Sequence, residues 1–192
     1  MMRGKVRIIG GEWRGRKLAV PEKQGLRPTP DRVRETLFNW LNWQVPASRC
    51  LDLFAGTGAL GVEAASRGAK QVILVEKDRS IAEGLRQQLA PFASTKVQVI
   101  QADALQFLKN PPVEPFNIVF LDPPFQQNLL APCCELLESA GWLAANAFIY
   151  LEAEAELQAL ILPKNWTVIK QQRAGQVAAY LVQRVELIAS PT

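Results

Sequence analysis

The amino-acid sequence predicts an α/β protein: a doubly wound, mostly parallel sheet, an antiparallel hairpin at its C-terminal end, and a small basic N-terminal extension. Three observations lead there. Leu51 to Gly61, LDLFAGTGALG, runs from a short apolar strand into a G-x-G-x-x-G turn that opens a helix. From Arg49 to Leu151, apolar strand-like runs alternate with segments of helical period. The last two strand-like runs are separated only by Gln172 to Gln176, too few residues for a parallel crossover, so they must form a hairpin.

Each element has its own signal. Residues 6–20 read as two short strands around Gly10 and Gly11, with Trp13 available either to stack on a base or to anchor this arm to the core. After the loop Gly25 to Pro30, Thr29 is positioned to cap a helix with Pro30 at its first position and Asp31 in its first turn. Val33, Leu37, Phe38, Trp40 and Leu41 give that helix an apolar face. Strand one is Cys50 to Phe54, followed by the glycine turn and a helix to Arg67. Strand two is Gln71 to Glu76, followed by a helix from Asp78 to Leu89. Strand three is Lys96 to Gln101, with a short helix to Leu108. Strand four, Phe116 to Leu121, is a continuous apolar run suited to burial on both faces. A helix over Leu129 to Ala140, strand five over Ala147 to Leu151 and an acidic helix over Glu152 to Ile161 precede the hairpin of Trp166 to Gln171 and Val177 to Gln183.

Composition narrows the chemistry. The 192 residues, 48% of them apolar, suffice for one sizeable core. They divide into a basic arm and helix (1–47), a catalytic domain (48–187) and a tail (188–192). No apolar run approaches the ~20 residues of a membrane span, and the basic start lacks a secretory h-region, so a cytoplasmic protein is expected. Cys50, Cys133 and Cys134 form no C-x-x-C pair and read as buried thiols, and with no histidine in the chain neither a metal site nor a histidine triad is expected. Residues 1–34 carry a net charge of +7 and the remainder −3, which suits a polyanionic partner held by the arm.

The predicted carboxyl ends of strands one to four carry Asp52, Glu76, Asp103 and Asp122 on one rim, where ligands of open α/β sheets bind. Glu76 lies twenty residues after Gly56, the spacing of an acid that grips a ribose. Strand-end acids also cap helices, and Asp103 taken alone reads as a cap. A pyrophosphate cofactor beside four carboxylates would be repelled in a desolvated cleft. S-adenosylmethionine brings a sulfonium, an ammonium and a ribose, and fits the rim better. Asp52 and the Gly56 and Gly58 backbone then face its methionine part, Glu76 its ribose and Asp103 its adenine amine. Phe54, Ala55, Ala104 and Asp122 complete the expected cofactor-binding set.

Asp122-Pro123-Pro124-Phe125 follows strand four directly. Two prolines in series stiffen the turn, so the Asp122 carboxylate and the Pro123 carbonyl can accept the two hydrogens of an exocyclic amine while Phe125 offers a face for its base. The residues D-x-F-A-G-T-G-A-L-G and D-P-P-F resemble those of class I S-adenosylmethionine-dependent methyltransferases that act on amines. The leader R-I-I-G-G-E-W-R-G-R-K-L, with L-R-P-T-P-D-R-V-R-E-T-L-F-N-W-L, is similar to the bacterial RsmD family of 16S rRNA (guanine(966)-N(2))-methyltransferases, over nearly the whole chain. That resemblance implies a Rossmann-like class I methyltransferase fold and methyl transfer to N2 of one guanine in small-subunit rRNA, free or within an assembling subunit, by a monomer. Asp122, Pro123 and Phe125 are its expected catalytic residues, with Asp122 or water taking the amine's proton. Arg14, Arg16, Lys17, Arg27, Arg32 and Arg34 are the expected RNA contacts. Two rivals remain at this point: an NAD-dependent oxidoreductase on the same glycine turn, and a non-catalytic RNA-binding module.

Overall fold

A computed structural model describes residues 2–21, 29–125, 127–155 and 160–185. Two short strands, β1 (Met2–Arg7) and β2 (Lys17–Pro21), pair antiparallel as a separate sheet. After α1 (Asp31–Trp40) come β3 (Arg49–Asp52), α2 (Ala59–Ser66), β4 (Gln71–Glu76), α3 (Arg79–Leu89), β5 (Val97–Gln101), α4 (Ala104–Leu108), β6 (Phe116–Leu121), α5 (Leu130–Ser139), β7 (Leu143–Glu154), β8 (Trp166–Ala174) and β9 (Val177–Arg184). Seven strands form the main sheet in the order β5-β4-β3-β6-β7-β9-β8. The first five are parallel, and β9 and β8 add on antiparallel beyond β7. This is the expected Rossmann-like sheet with its C-terminal hairpin. The chain reverses direction outward from β3, so the crevice between the ends of β3 and β6 is the topological switch point.

The parallel strands alternate their side chains between two apolar layers. Cys50, Val72, Leu74, Ile118, Phe120 and Tyr150 pack toward Leu37 and Phe38 of α1, Leu41 just after it, Val62 and Ala65 of α2 and Leu85 of α3. Leu51, Val75, Val119, Leu121, Ile149 and Leu151 pack toward Leu108 of α4 and Cys133, Cys134 and Leu137 of α5. Both faces of β6 are covered, which explains its unbroken apolar run; only Asn117 is exposed. The three thiols are free and buried, and burial pushes each up to about 12, which leaves them as inert packing groups.

Three sequence expectations need correction. Thr29 does not cap α1: Pro30 occupies the cap position, and its carbonyl accepts from the Val33 and Arg34 N–H groups. The Thr29 hydroxyl turns instead toward Glu152, 3.2 Å from Oε1. The acidic segment Glu152 to Glu154 is strand, not helix, because β9 supplies it with a partner ladder, Glu152 lying opposite Ala179. Residues 156–159 of the expected helix lie outside the described residues. Finally, Arg34 is fully buried. Its Nη2 donates to the Arg7 carbonyl at 2.9 Å and to Asp31 Oδ1 at 2.6 Å, so it is a tie between α1 and β1 rather than a surface cation for RNA.

The arm is locked to α2. Glu63, also fully buried, accepts from the Ile9 and Gly10 N–H groups at 2.8 Å each and from Arg67 Nε at 2.7 Å. Trp13 is buried edge-on against Phe92, with its backbone N–H donating to Ser66 Oγ, so it anchors the arm and does not face solvent.

Candidate active site

Asp52 ends β3 with its carboxyl almost fully buried. One oxygen accepts the Gly61 N–H at 3.1 Å, across the glycine turn, while Oδ1 has no hydrogen-bond partner. Gly58 opens α2 in a left-handed conformation, φ 76°, which favours glycine. A Cβ on Gly61 would sit 2.2 Å from Leu74 and 3.3 Å from the Asp52 Cβ, so only glycine lets α2 approach β3 and β4 this closely. Burial pushes the Asp52 carboxyl up to about 7, against the pull of the Gly61 and Phe54 N–H groups, and neighbouring Glu76 raises it further.

Glu76, at the end of β4, reaches back to the turn: Oε2 accepts the Gly56 N–H at 3.0 Å and Oε1 the Asp78 N–H at 2.7 Å. It fixes the turn's shape, and each oxygen keeps a second lone pair for a ligand hydroxyl. Asp103 does cap its helix, accepting from the Gln106 N–H, and pairs with Lys77 at 3.0 Å. That hydrogen bond from Lys77 holds its carboxyl below the usual range. Ala55 and Ala104 are buried beside these ends, and Phe54 is partly exposed.

Asp122 follows β6 with Pro123 buried and Phe125 46% exposed, the exposure that a stacking platform needs. Its neighbours include a residue that the sequence reading assigned no role. Glu152 is 6% exposed, and its Oε1 accepts from the Tyr150 hydroxyl at 2.7 Å and from Thr29. Leu121 lies opposite Leu151 on β7, which brings the Asp122 carboxyl beside Glu152 and Thr29. Burial, then the charges of Glu152 and Asp52, push Asp122 well above the usual carboxyl range. Burial also raises Glu152, while hydrogen bonds from Tyr150, Thr29 and Asp122 pull it back. The missed signal was available: Glu152 follows Leu151, the last residue of the predicted strand five, as Asp122 follows Leu121.

Asp52, Glu76 and Asp122 therefore converge at the switch point, and Asp103 stands further out along the rim. Among the described residues no Lys or Arg pairs with Asp52, Asp122 or Glu152. An orphaned buried carboxyl oxygen in an uncompensated acidic crevice fits a cationic group, so these residues suit S-adenosylmethionine and not a pyrophosphate. Among the described residues no cluster of His, Cys, Asp and Glu could hold a metal. Arg14, Arg16 and Lys17 are exposed on the arm, Arg16 lying 4.6 Å over the Phe92 ring, and Arg32 is exposed on α1. Arg27 lies outside the described residues.

Comparison with known proteins agrees with this architecture. The family model described as Conserved hypothetical protein 95 matches residues 6–183. The chain is 50% identical over 181 residues to Ribosomal RNA small subunit methyltransferase D of Escherichia coli K12, covering 94% of this chain and 91% of that protein. It is 49% identical over 184 residues to the protein of the same name from Haemophilus influenzae, covering 94% and 95%. The solved structure of the Escherichia coli protein yhhF superposes with a TM-score of 0.88 at 49% identity, covering 96% of this chain and 100% of that one. Matches of this identity and coverage show that the chain belongs to the Conserved hypothetical protein 95 family, with the ribosomal RNA small subunit methyltransferase D proteins.

Proposed function

We propose that this protein transfers a methyl group from S-adenosylmethionine to the exocyclic N2 amine of a single guanine, position 966, in 16S rRNA of the small ribosomal subunit. The observation that carries the reading is the meeting of Asp52, with its unpartnered buried oxygen, and the Asp122 to Phe125 corner at one switch point. A cationic cofactor and an amine substrate satisfy those two features together. The high identity to methyltransferases of small-subunit rRNA supports the same class of substrate.

In this reading the cofactor supplies an electrophilic methyl group on a sulfonium. Asp52 and the Gly56 and Gly58 backbone hold its methionine end, Glu76 the ribose hydroxyls, and Asp103 and Ala104 the adenine side. The target guanine leaves its stack, at a cost of a few kcal/mol that is least in an RNA loop. Phe125 receives the base. Asp122 and the Pro123 carbonyl accept the two N2 hydrogens, orienting the nitrogen lone pair, and most of the acceleration comes from this positioning. Arg14, Arg16, Lys17, Arg27 and Arg32 contact RNA phosphates, which assigns residues 1–47 to RNA and 48–187 to chemistry. A cytoplasmic monomer acting on an assembling subunit completes the proposal.

Calorimetric titration with S-adenosylmethionine and, separately, NADH tests the cofactor, and mass spectrometry of nuclease fragments from methylated small-subunit RNA locates the product. Binding of NADH alone would overturn the reading. Methylation at another base would confine the correction to the target.

A further inference from the structure

Tyr150 and Glu152 are two residues apart on β7 and so share a face of the sheet, the face that also carries Phe120 and packs against α1. Asp122 follows Phe120 by two, and Thr29 comes from the segment that leads into α1. Four polar side chains from three separate elements thus meet in a largely desolvated space. Their donors can be counted. Tyr150 has one hydrogen and gives it to Glu152 Oε1, and Thr29 has one to share between Glu152 and Asp122. Leu121 lies opposite Leu151 where β6 pairs with β7, which sets the Asp122 carboxyl beside Glu152, and two ionised carboxylates at that place would repel each other with no hydrogen to share. Burial and the neighbouring charges favour a proton on one of them. Tyr150 and Thr29 both donate to Glu152, so the charge rests there and the proton on Asp122. Beside the pair stands Asp52, almost fully buried and with its Oδ1 unpartnered, and among the described residues no Lys or Arg pairs with any of the three carboxyls.

A protonated Asp122 is the wrong partner for an amine, since it donates where it should accept. We infer that Glu152 is a positioning residue for Asp122: the two carboxyl groups hold one proton between them until a cationic ligand enters beside Asp52, and recover one from the methylated amine. This rests on the methyl-transfer reading. The balance closes. The N2 lone pair forms the new N–C bond, the S–C bond breaks with its electrons left on sulfur, and the now cationic nitrogen gives one N–H proton to the Asp122 carboxylate. The pair then holds one proton again and releases it to water when the next cofactor binds. Among the described residues, the groups facing the pair are Asp52 from β3, Tyr150 from β7 and Thr29 before α1, with Glu76 of β4 beyond Asp52.

Proton release on cofactor binding reads this out without turnover. Calorimetry in two buffers of different ionisation enthalpy, at about pH 8 where Asp52 is mostly ionised, should show the wild-type protein releasing roughly one proton per S-adenosylmethionine bound. Glu152→Gln, a neutral isostere, leaves Asp122 ionised beforehand and should cut that release at least threefold while binding persists. The acid limb of its kcat profile should move down by about one pH unit, and that of Tyr150→Phe, which strips a donor from Glu152, should move up. Opposite shifts are not produced by mere loosening of the fold. Equal proton release in wild type and Glu152→Gln, or limbs that move the same way, would overturn the inference and leave the methyl-transfer reading standing. Absence of any S-adenosylmethionine binding by the wild type would instead remove that reading itself.

Discussion

Arg34 Nη1 lies 3.6 Å from Glu63 Oε2, with neither side chain exposed to solvent. Glu63 also receives two backbone N–H groups of the arm and the Arg67 guanidinium, while Arg34 reaches the Arg7 carbonyl and Asp31. One buried carboxylate thus joins the arm, α1 and α2. Removing it strands a guanidinium in the interior. Glu63→Ala should cost about 3–5 kcal/mol of unfolding free energy in urea titrations. It should also open the bond after Arg14 or Arg16 to trypsin sooner than global unfolding does.

Stability should fall with rising pH in the ligand-free protein. Asp52, Asp122 and Glu152 all have folded-state values above the ordinary carboxyl range. The native state therefore binds more protons than the unfolded chain, and the stabilisation present below about pH 4 is lost as pH rises through the folded values. For Asp52 that window runs from its ordinary 3.8 to about 7. Thermal melting between pH 5 and 8 should show a declining midpoint, and Asp52→Asn should flatten the decline. A midpoint that climbs through this range would mean that the crevice is not desolvated as described.

In the proposed reaction Asp122→Ala removes both an orienting acceptor and the adjacent proton acceptor for the amine, and it should lower kcat by about 10²-fold or more. Phe125→Ala should act differently. Loss of a half-exposed stacking face should weaken RNA association by about 1–3 kcal/mol, read in KM, with cofactor affinity unchanged. Full turnover by the Asp122 variant, at normal cofactor and RNA binding, would remove it from the reaction.

The exposed cations Arg14, Arg16 and Lys17 should act through counterion release. Neutralising all three should reduce the slope of log K against log salt by about 2 for single-stranded RNA. Filter binding over a range of salt concentrations measures it. An unchanged slope would make these residues a solvated surface.

The C-terminal hairpin depends on Glu138 of α5. Its two oxygens receive Arg184 Nε at 2.8 Å, Arg184 Nη2 at 2.9 Å, Trp166 Nε1 at 2.8 Å and Asn165 Nδ2 at 2.9 Å. Glu138→Ala should destabilise the protein by about 1–3 kcal/mol in chemical denaturation. Because the site lies at the other side of β7, cofactor affinity should not change.

Much of the architecture was legible because it is local. Strand two, the helix after Asp78 and strand four were readable within a residue, since apolar period and a capping aspartate depend on near neighbours alone; the Asp78 carboxylate does accept from the Ser80 and Ile81 N–H groups. The glycine turn and its acids at Asp52, Glu76 and Asp122 were legible for the same reason. Boundaries failed where a partner strand decided them. Glu152 to Glu154 have helical composition, and β9 makes them strand.

What the sequence by itself determined was the order of elements, the mixed sheet and the rim of strand-end acids, because periodicity and turn chemistry are properties of short stretches. Only the tertiary structure decided which charges face water. Arg32 and Arg34 are two residues apart in one basic segment, yet one is exposed and the other has no exposed surface, since the face of a 3.6-residue helix that meets Glu63 depends on where α2 packs. The same is true of Thr29, Asp122, Tyr150 and Glu152. They are up to 123 residues apart, and only the pairing of β6 with β7 beneath α1 brings them close enough to share hydrogens.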